Sequence, residues 1–212
     1  MFERNEIQKG LRALRTNDPI LAAVIRRVGG FTLKPQSGGY EILVRSILSQ
    51  QISVAAARTI RGRLQKLLPG EKLVAKNLHA LSDQQLQSVG VSRQKLAYLR
   101  HLTSCTLDGT INFRRIARGT DEDVIAELIQ VKGVGRWTAQ MFLMFSLGRI
   151  DVFAPDDLGL RNAIHKLYKM PRNLARKDLE KHAERWRPYR TIASWYLWRS
   201  LEQKSTANEY PV

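Results

Sequence analysis

Only one cysteine, Cys105, occurs in the 212 residues, which rules out an internal disulfide, a four-cysteine zinc site and a four-cysteine iron–sulfur cluster. Histidine is also sparse. His79, His101, His165 and His182 are scattered with no pair at metal-ligand spacing, so no metal held by side chains is expected. Long apolar runs are missing. The N-terminal MFERNEIQKGLRALR mixes charge with apolar residues from the outset, which argues against a secretory core or a membrane span and for an intracellular protein. Strand-type alternation is nearly absent. Acidic residues are outnumbered, 19 Asp and Glu against 35 Lys and Arg, giving a formal net charge of +16 that attracts polyanions. The excess thickens late in the chain, where residues 161–199 hold eleven Lys or Arg against three acids.

What remains is helical. With 43% hydrophobic residues the chain can fill one large domain or two small lobes, and no internal repeat or low-complexity segment interrupts it. Residues 20–28 are apolar with a double arginine and stop at Gly29-Gly30; KPQSGG at 34–39 is a loop. From Tyr40, apolar residues at Ile42, Leu43, Ile47 and Leu48, then at Ile60, Leu64, Leu67 and Leu68, predict two helices broken near residues 50–53. Pro69-Gly70 punctuates. Ser82 with Gln85 forms a capping-box pattern for a short helix to Ser88, and the helix after Gly90 is closed by Asp108-Gly109. Asp157 or Asp156 opens a helix through Leu167, another begins within 179–186, and the last starts at Pro188 and runs to about Leu201.

The most informative stretch is residues 121–160. Thr120 with Asp123 caps a helix whose apolar pairs Val124/Ile125 and Leu128/Ile129 recur up to Val131, so that helix is expected to stop at Lys132. In Gly133-Val134-Gly135 two positions without side chains permit a sharp turn and a close backbone approach. A second helix starts there, and its unpaired first amides at the positive end of the helix dipole suit an anion such as phosphate. A glycine can equally well just end a helix. Lys132 and Arg136 on the same turn and the basic chain favour the phosphate reading.

Taken together, VKGVGRWTA, PDDLGLRNAI about twenty residues after the tryptophan, ILSQQISVAAA upstream and WRPYRTIASWYLW near the end resemble the helix-hairpin-helix (HhH-GPD) DNA glycosylase superfamily. The likeness spans about residues 40–201 and is strongest to members of the 3-methyladenine DNA glycosylase II type, which excise alkylated purines. It implies an all-α fold with two helical lobes, a hairpin beside a central cleft and no N-terminal β domain. On that pattern residues 1–202 form a single domain, one lobe covering about 50–145 and the other about 1–49 plus 146–202; the aperiodic residues 203–212 are expected to be a flexible tail.

The resemblance implies roles for particular residues. Such an enzyme rotates a nucleotide out of the duplex and must fill the gap. Gln51 is the favoured wedge and Gln50 the alternative, although two glutamines there can simply cap the preceding helix. Trp137 and Trp198 correspond to residues that line the family's base pocket, where indole faces attract a flat cation at about 0.5–2 kcal/mol each. Ile192, Trp195 and Tyr196 form one apolar stripe of the last helix, while Trp198 lies over Thr191 and Ser194, expected to be a shallower face with room for a ligand. Met141 takes a pocket position where related enzymes place another aromatic. Asp157 is the favoured catalytic carboxylate, facing the sugar as positive charge develops; Asp156 is the cap or secondary acid, and both can be read as caps alone. Lys132, Gly133, Val134, Gly135, Arg136 and Thr138 would grip backbone phosphate, with Arg190 a further backbone contact and Arg161 adding packing and positive field. No cofactor is required, though a monovalent cation on the backbone carbonyls of the turn is a family feature. Bifunctional relatives carry a lysine where Trp137 stands, so base excision without strand cleavage is expected; Lys95 and Lys132 read as phosphate contacts. The expected partner is double-stranded DNA with alkylated bases, met by a monomer in the cytoplasm at the nucleoid, or in the nucleus of a eukaryote. A non-catalytic hairpin DNA-binding protein and a glycosylase with lyase activity are the alternatives.

Overall fold

The computed structural model describes residues 2–36 and 38–201, all of them in helices, turns and loops with no strand among them. The expected tail at 203–212 lies outside the described residues. The helices are α1 (Arg4–Asn17), α2 (Pro19–Val28), α3 (Gly39–Ser49), α4 (Val54–Lys66), α5 (Ala75–Ala80), α6 (Asp83–Ser88), α7 (Arg93–Leu107), α8 (Phe113–Ile116), α9 (Asp121–Leu128), α10 (Arg136–Phe145), α11 (Leu158–Tyr168), α12 (Arg176–Ala183) and α13 (Arg190–Leu201). The boundaries follow local chemistry. Capping boxes start α6 at Ser82/Gln85 and α9 at Thr120/Asp123, while Asp18, Ser53, Ser92 and Asn112 cap α2, α4, α7 and α8 with their side chains. Gly29 and Gly109, at φ of 88° and 82°, end α2 and α7 in a conformation that other residues avoid.

The chain divides into two compact units, one formed by residues up to Pro35 and from Leu143 onward, the other by Gln36–Phe142. Helix α3, placed by sequence with the terminal lobe, belongs with the middle of the chain. Its partners explain that: Tyr40 Oη meets Thr103 Oγ1 at 2.7 Å and Lys95 Nζ donates to Leu48 O at 2.7 Å, both tying α3 to α7. In this unit Leu43, Ile47, Leu64, Leu78, Leu86, Leu99 and Leu128 have no exposed surface. Each such side chain contributes about 1.5–3 kcal/mol through burial.

In the other unit α13 packs against α2, α11 and α1, and Leu14, Leu21, Ile25, Leu160, Ile164, Ile192, Trp195 and Tyr196 make its core. The charge-rich N-terminus, read from sequence only for what it lacks, is α1, which turns Leu11 and Leu14 inward. The expected shallow face of α13 is absent. Thr191 and Ser194 are fully buried, their hydroxyls donating to Arg149 O at 2.7 Å and Arg190 O at 2.8 Å, so that polar residues pack inside without orphaned groups. Asp18 is also buried. Beyond capping α2 it accepts Tyr168 Oη at 2.6 Å and Trp186 Nε1 at 2.8 Å. Burial, reinforced by the bond to Asp18, pushes the Tyr168 hydroxyl well above its ordinary value.

His182 completes that cluster, edge-on to Tyr168 and Trp186 with ring centroids at 4.5 and 5.2 Å and with Nε2 buried without a hydrogen-bond partner. Burial, aided by Arg185 and opposed by Asp18, pushes its imidazole down from 6.5 to about 4. The folded state therefore holds His182 neutral where the unfolded chain would protonate it. Its contribution is complete above pH 6.5 and is lost as pH falls from there toward about 4. Chemical-denaturation midpoints measured at pH 7.5 and pH 5 test this: the parent loses more stability on acidification than His182→Gln, and equal losses would contradict it.

Candidate active site

The hairpin is built within the Gln36–Phe142 unit. Helix α9 ends at Leu128, not at Lys132, because residues 129–131 tighten into a turn: Val131 N–H donates to Leu128 O at 3.1 Å and Val134 N–H to Val131 O at 3.0 Å, which turns both valines inward. Gly133 has φ of 84°, and a Cβ there would lie 2.2 Å from the Tyr98 ring. No other residue fits on either count. Its carbonyl accepts Gln50 Nε2 at 2.7 Å, and the Lys132 amide donates to His101 Nδ1 at 3.1 Å. The turn is thus seated on α7 and on the end of α3.

These bonds revise the expected phosphate grip. The amides of Lys132 and Val134 are spent inside the protein, Thr138 is 3% exposed, and Arg136 forms a two-toothed pair with Glu122 at 2.5 and 3.0 Å. The amides of Gly133 and Gly135 at the mouth of α10, with the exposed Lys132 side chain, remain to meet an anion. The Arg136 pair is exposed, worth about 0–1 kcal/mol, and exchangeable for a stronger partner. His101 and Tyr98 were not singled out from sequence; their spacing on α7, three residues apart and facing the turn, is visible only once the fold brings them there.

The junction after α3 separates the two glutamines. Gln50 is tied to Gly133 and is no longer available as a wedge, whereas Gln51 is exposed and held at φ of 57°, a left-handed conformation rare for a residue with a side chain. Such strain marks positions fixed by their surroundings. Farther on, Trp137 is half-buried on the first turn of α10, one helical turn before Met141. Met141 has no exposed surface, so its side chain is spent in the core and offers nothing to a base there.

The carboxylate lies in the other unit. After Pro155 the chain turns, Asp157 N–H donates to Ala154 O at 3.1 Å, and Asp157 becomes the N-cap of α11 with Oδ1 accepting from Leu160 N at 2.7 Å. The same oxygen accepts Trp198 Nε1 at 2.8 Å. Asp157 is 5% exposed, beside the positive end of the α11 dipole. Arg161 braces the loop, donating to Pro155 O at 3.2 Å and Leu174 O at 2.7 Å. Asp156, by contrast, is exposed and faces Arg176 at 3.4 Å. The open question between the aspartates as caps resolves to Asp157, which caps the helix and is also the buried acid.

Trp198 is half-buried and stacks on Phe145, ring centroids 5.8 Å apart and 29° from parallel. Glycine at 159 permits this: a Cβ there would lie 2.9 Å from Trp198 Cδ1 and 3.1 Å from Asp157 Oδ1. Leu158, the residue after the carboxylate, is 71% exposed, its register lying off the core face of Leu160, Ala163 and Ile164. Arg190 is not offered to a ligand. Its guanidinium and amide make four hydrogen bonds to Asp151 at 2.8 to 3.2 Å, so the expected backbone contact is instead an internal clamp joining the start of α13 to the loop before α11.

Comparison with known proteins places these features in context. The model of a family described as HhH-GPD superfamily base excision DNA repair protein matches residues 44–188. The chain is 35% identical over 163 residues to DNA-3-methyladenine glycosylase 1 of Schizosaccharomyces pombe, covering 76% of this chain and 72% of that protein. To DNA-3-methyladenine glycosylase 2 of Escherichia coli it is 29% identical over 199 residues, covering 87% of this chain and 67% of that one. Among crystal structures, 3-methyladenine DNA glycosylase of S. pombe in complex with abasic DNA aligns with a TM-score of 0.84 and 30% identity, over 91% of this chain and 96% of that one. DNA-3-methyladenine glycosidase of Bacillus halodurans aligns with a TM-score of 0.79 and 34% identity, over 90% and 88%.

Gly159→Ala tests the local geometry without any substrate. Of the four tryptophan indole N–H signals in a nitrogen–proton correlation spectrum, that of Trp198 should move upfield as its bond to Asp157 lengthens, the others staying in place. An unmoved Trp198 signal would contradict the packing described.

Proposed function

Because the chain belongs to the HhH-GPD superfamily of base excision DNA repair proteins, we propose that it excises alkylated purines such as 3-methyladenine and 7-methylguanine without cutting the strand. It is a DNA glycosylase, a hydrolase of N-glycosyl bonds, and DNA is its substrate partner. The observation that carries the finer reading is the buried Asp157 carboxylate at the α11 N-terminus, bonded to a half-buried tryptophan.

A purine alkylated on a ring nitrogen is cationic and already a good leaving group. The exposed part of the Trp198 indole supplies a face for it, and Trp137 a second one by analogy, each at about 0.5–2 kcal/mol. Gln51 fills the gap that the extruded nucleotide leaves. When the bond from C1′ to the base nitrogen breaks, its electron pair leaves with the base and positive charge spreads over the sugar. Asp157 opposes that charge and orients a water whose oxygen adds to C1′; the water's proton passes to the carboxylate and then to solvent. The products are free base and an abasic site.

Strand cleavage would need an amine at C1′. Trp137 stands at the position where bifunctional relatives carry lysine, and Lys95, whose ammonium pKa burial lowers, donates to Leu48 O. A monovalent cation at the hairpin is compatible with the turn, since Val131 O and Gly133 O each accept one hydrogen bond and keep a second lone pair. It would add positive charge beside the phosphate. We take the protein to act as a monomer wherever the cell keeps its DNA.

Asp157→Asn tests the assignment. Release of free base from a duplex carrying a methylated purine should fall by at least about 100-fold, the scale of losing one electrostatic stabiliser, with affinity for that duplex within a few-fold of the parent. Undiminished release would remove Asp157 from the chemistry. A strand break appearing without heat or alkali would favour the lyase, and unaltered oligonucleotide with the parent protein a non-catalytic DNA binder.

A further inference from the structure

The backbone at residues 49–52, just past α3, follows the pattern of a type II turn. Gln50 has φ of −56° and ψ of 129°, and Gln51 has φ of 57°, at the position where such turns take glycine or asparagine because φ is positive. A glutamine there is strained and persists only if its surroundings hold it. Local bonds do this poorly: Ile52 N–H donates to Ser49 O at 3.5 Å and Gln50 N–H to Ile47 O at 3.4 Å, both long for bonds of this kind. The short bond comes from afar. Gln50 Nε2 donates to Gly133 O at 2.7 Å, while Lys95 Nζ, on Leu48 O at 2.7 Å, fixes the end of α3 on α7.

The hairpin is less dependent on that bond. Its Lys132 amide is held by His101 Nδ1 at 3.1 Å, its Val134 amide by Val131 O at 3.0 Å, and Gly133 lies against the ring of Tyr98. Lys95, Tyr98 and His101 recur every third residue of α7, so one helix face seats both the turn after α3 and the hairpin. Removing the Gln50 amide would leave the hairpin on its other ties and the turn that carries Gln51 on its long ones.

We propose that Gln50 is a positioning residue for the wedge, its bond to Gly133 O fixing the turn that presents Gln51 to the gap in the duplex. The inference rests on the reading of the chain as a DNA glycosylase with Gln51 as the wedge. A side chain presented from a backbone already fixed loses less freedom on entering the stack than one on a turn that must first be ordered. Because the anchor is the carbonyl of the same glycine whose amide is offered to phosphate, the point of insertion keeps a set spacing from the backbone contact.

The test is the preference of the protein for a duplex with a neutral tetrahydrofuran abasic analogue over the same duplex undamaged, a ratio that needs no base release. Q50M keeps the length of the side chain and removes its donor; the preference should fall about 3- to 10-fold, the scale of one hydrogen bond, with affinity for the undamaged duplex unchanged. Since Gln50 acts through Gln51, the double variant Q50M/Q51A should be no worse than Q51A alone. A preference retained in Q50M, losses that add in the double variant, or an equal loss of affinity for the undamaged duplex would overturn the proposal, the last by making Gln50 a support of the hairpin alone. If Q50M melts early, Q50E decides, because a carboxylate of the same shape cannot donate to Gly133 O and any effect of its charge cancels in the ratio. Failure of the wedge reading itself would be seen separately, as a preference that survives in Q51A, and would take this inference with it.

Discussion

One oxygen of Asp157 holds the catalytic reading together. It satisfies the amide of Leu160, which fixes the start of α11, and it accepts the indole N–H of Trp198 from the end of α13. A single carboxylate thereby joins two helices far apart in sequence, and the tryptophan that would stack on a base is positioned by the acid that would act on the sugar. The cost of burying such a group is met by its donors. The surrounding residues enforce the arrangement: Gly159 leaves room for the indole, Phe145 backs it, and Arg161 pins the loop that delivers the acid.

The hairpin follows the same logic in the other unit. A turn with glycine in a left-handed conformation exposes amides that an anion can use, but it also creates groups that must be satisfied. Here His101, Gln50 and Val131 O take up part of that demand and fix the shape of the turn. Preorganised amides lose little freedom on binding, which is what the proposed phosphate contact at this turn requires.

Much of this was legible because it is local. Capping boxes at Ser82 and Thr120, the break between Ser49 and Val54, the glycines that end α2 and α7, and an aspartate at 156 or 157 as the opener of α11 are all written within a few neighbouring residues. The residues misjudged are those whose partners come from elsewhere. Arg190 reads as a free cation until Asp151, 39 positions earlier, claims it; Gln50 and the Lys132 amide are taken by groups 83 and 31 positions away. Met141 and the Thr191/Ser194 face looked like pocket wall because helical periodicity gives a direction without saying what packs there, and α13 is buried on more than one side. Helix α3 was assigned to the wrong side of a division for the same reason, its allegiance being set by Thr103 and Lys95.

The central claim is that Asp157 opposes positive charge on a deoxyribose. The most direct measurement compares affinity for two duplexes that differ at one nucleotide, one carrying a neutral tetrahydrofuran abasic analogue and the other a cationic pyrrolidine of the same shape. Groups aimed at charge that develops in the transition state bind its stable mimic more tightly, so the parent protein should prefer the cation by at least about 100-fold, and replacing Asp157 with asparagine should erase that preference. Equal affinity of the parent for the two duplexes, or a preference that survives the substitution, would contradict the account.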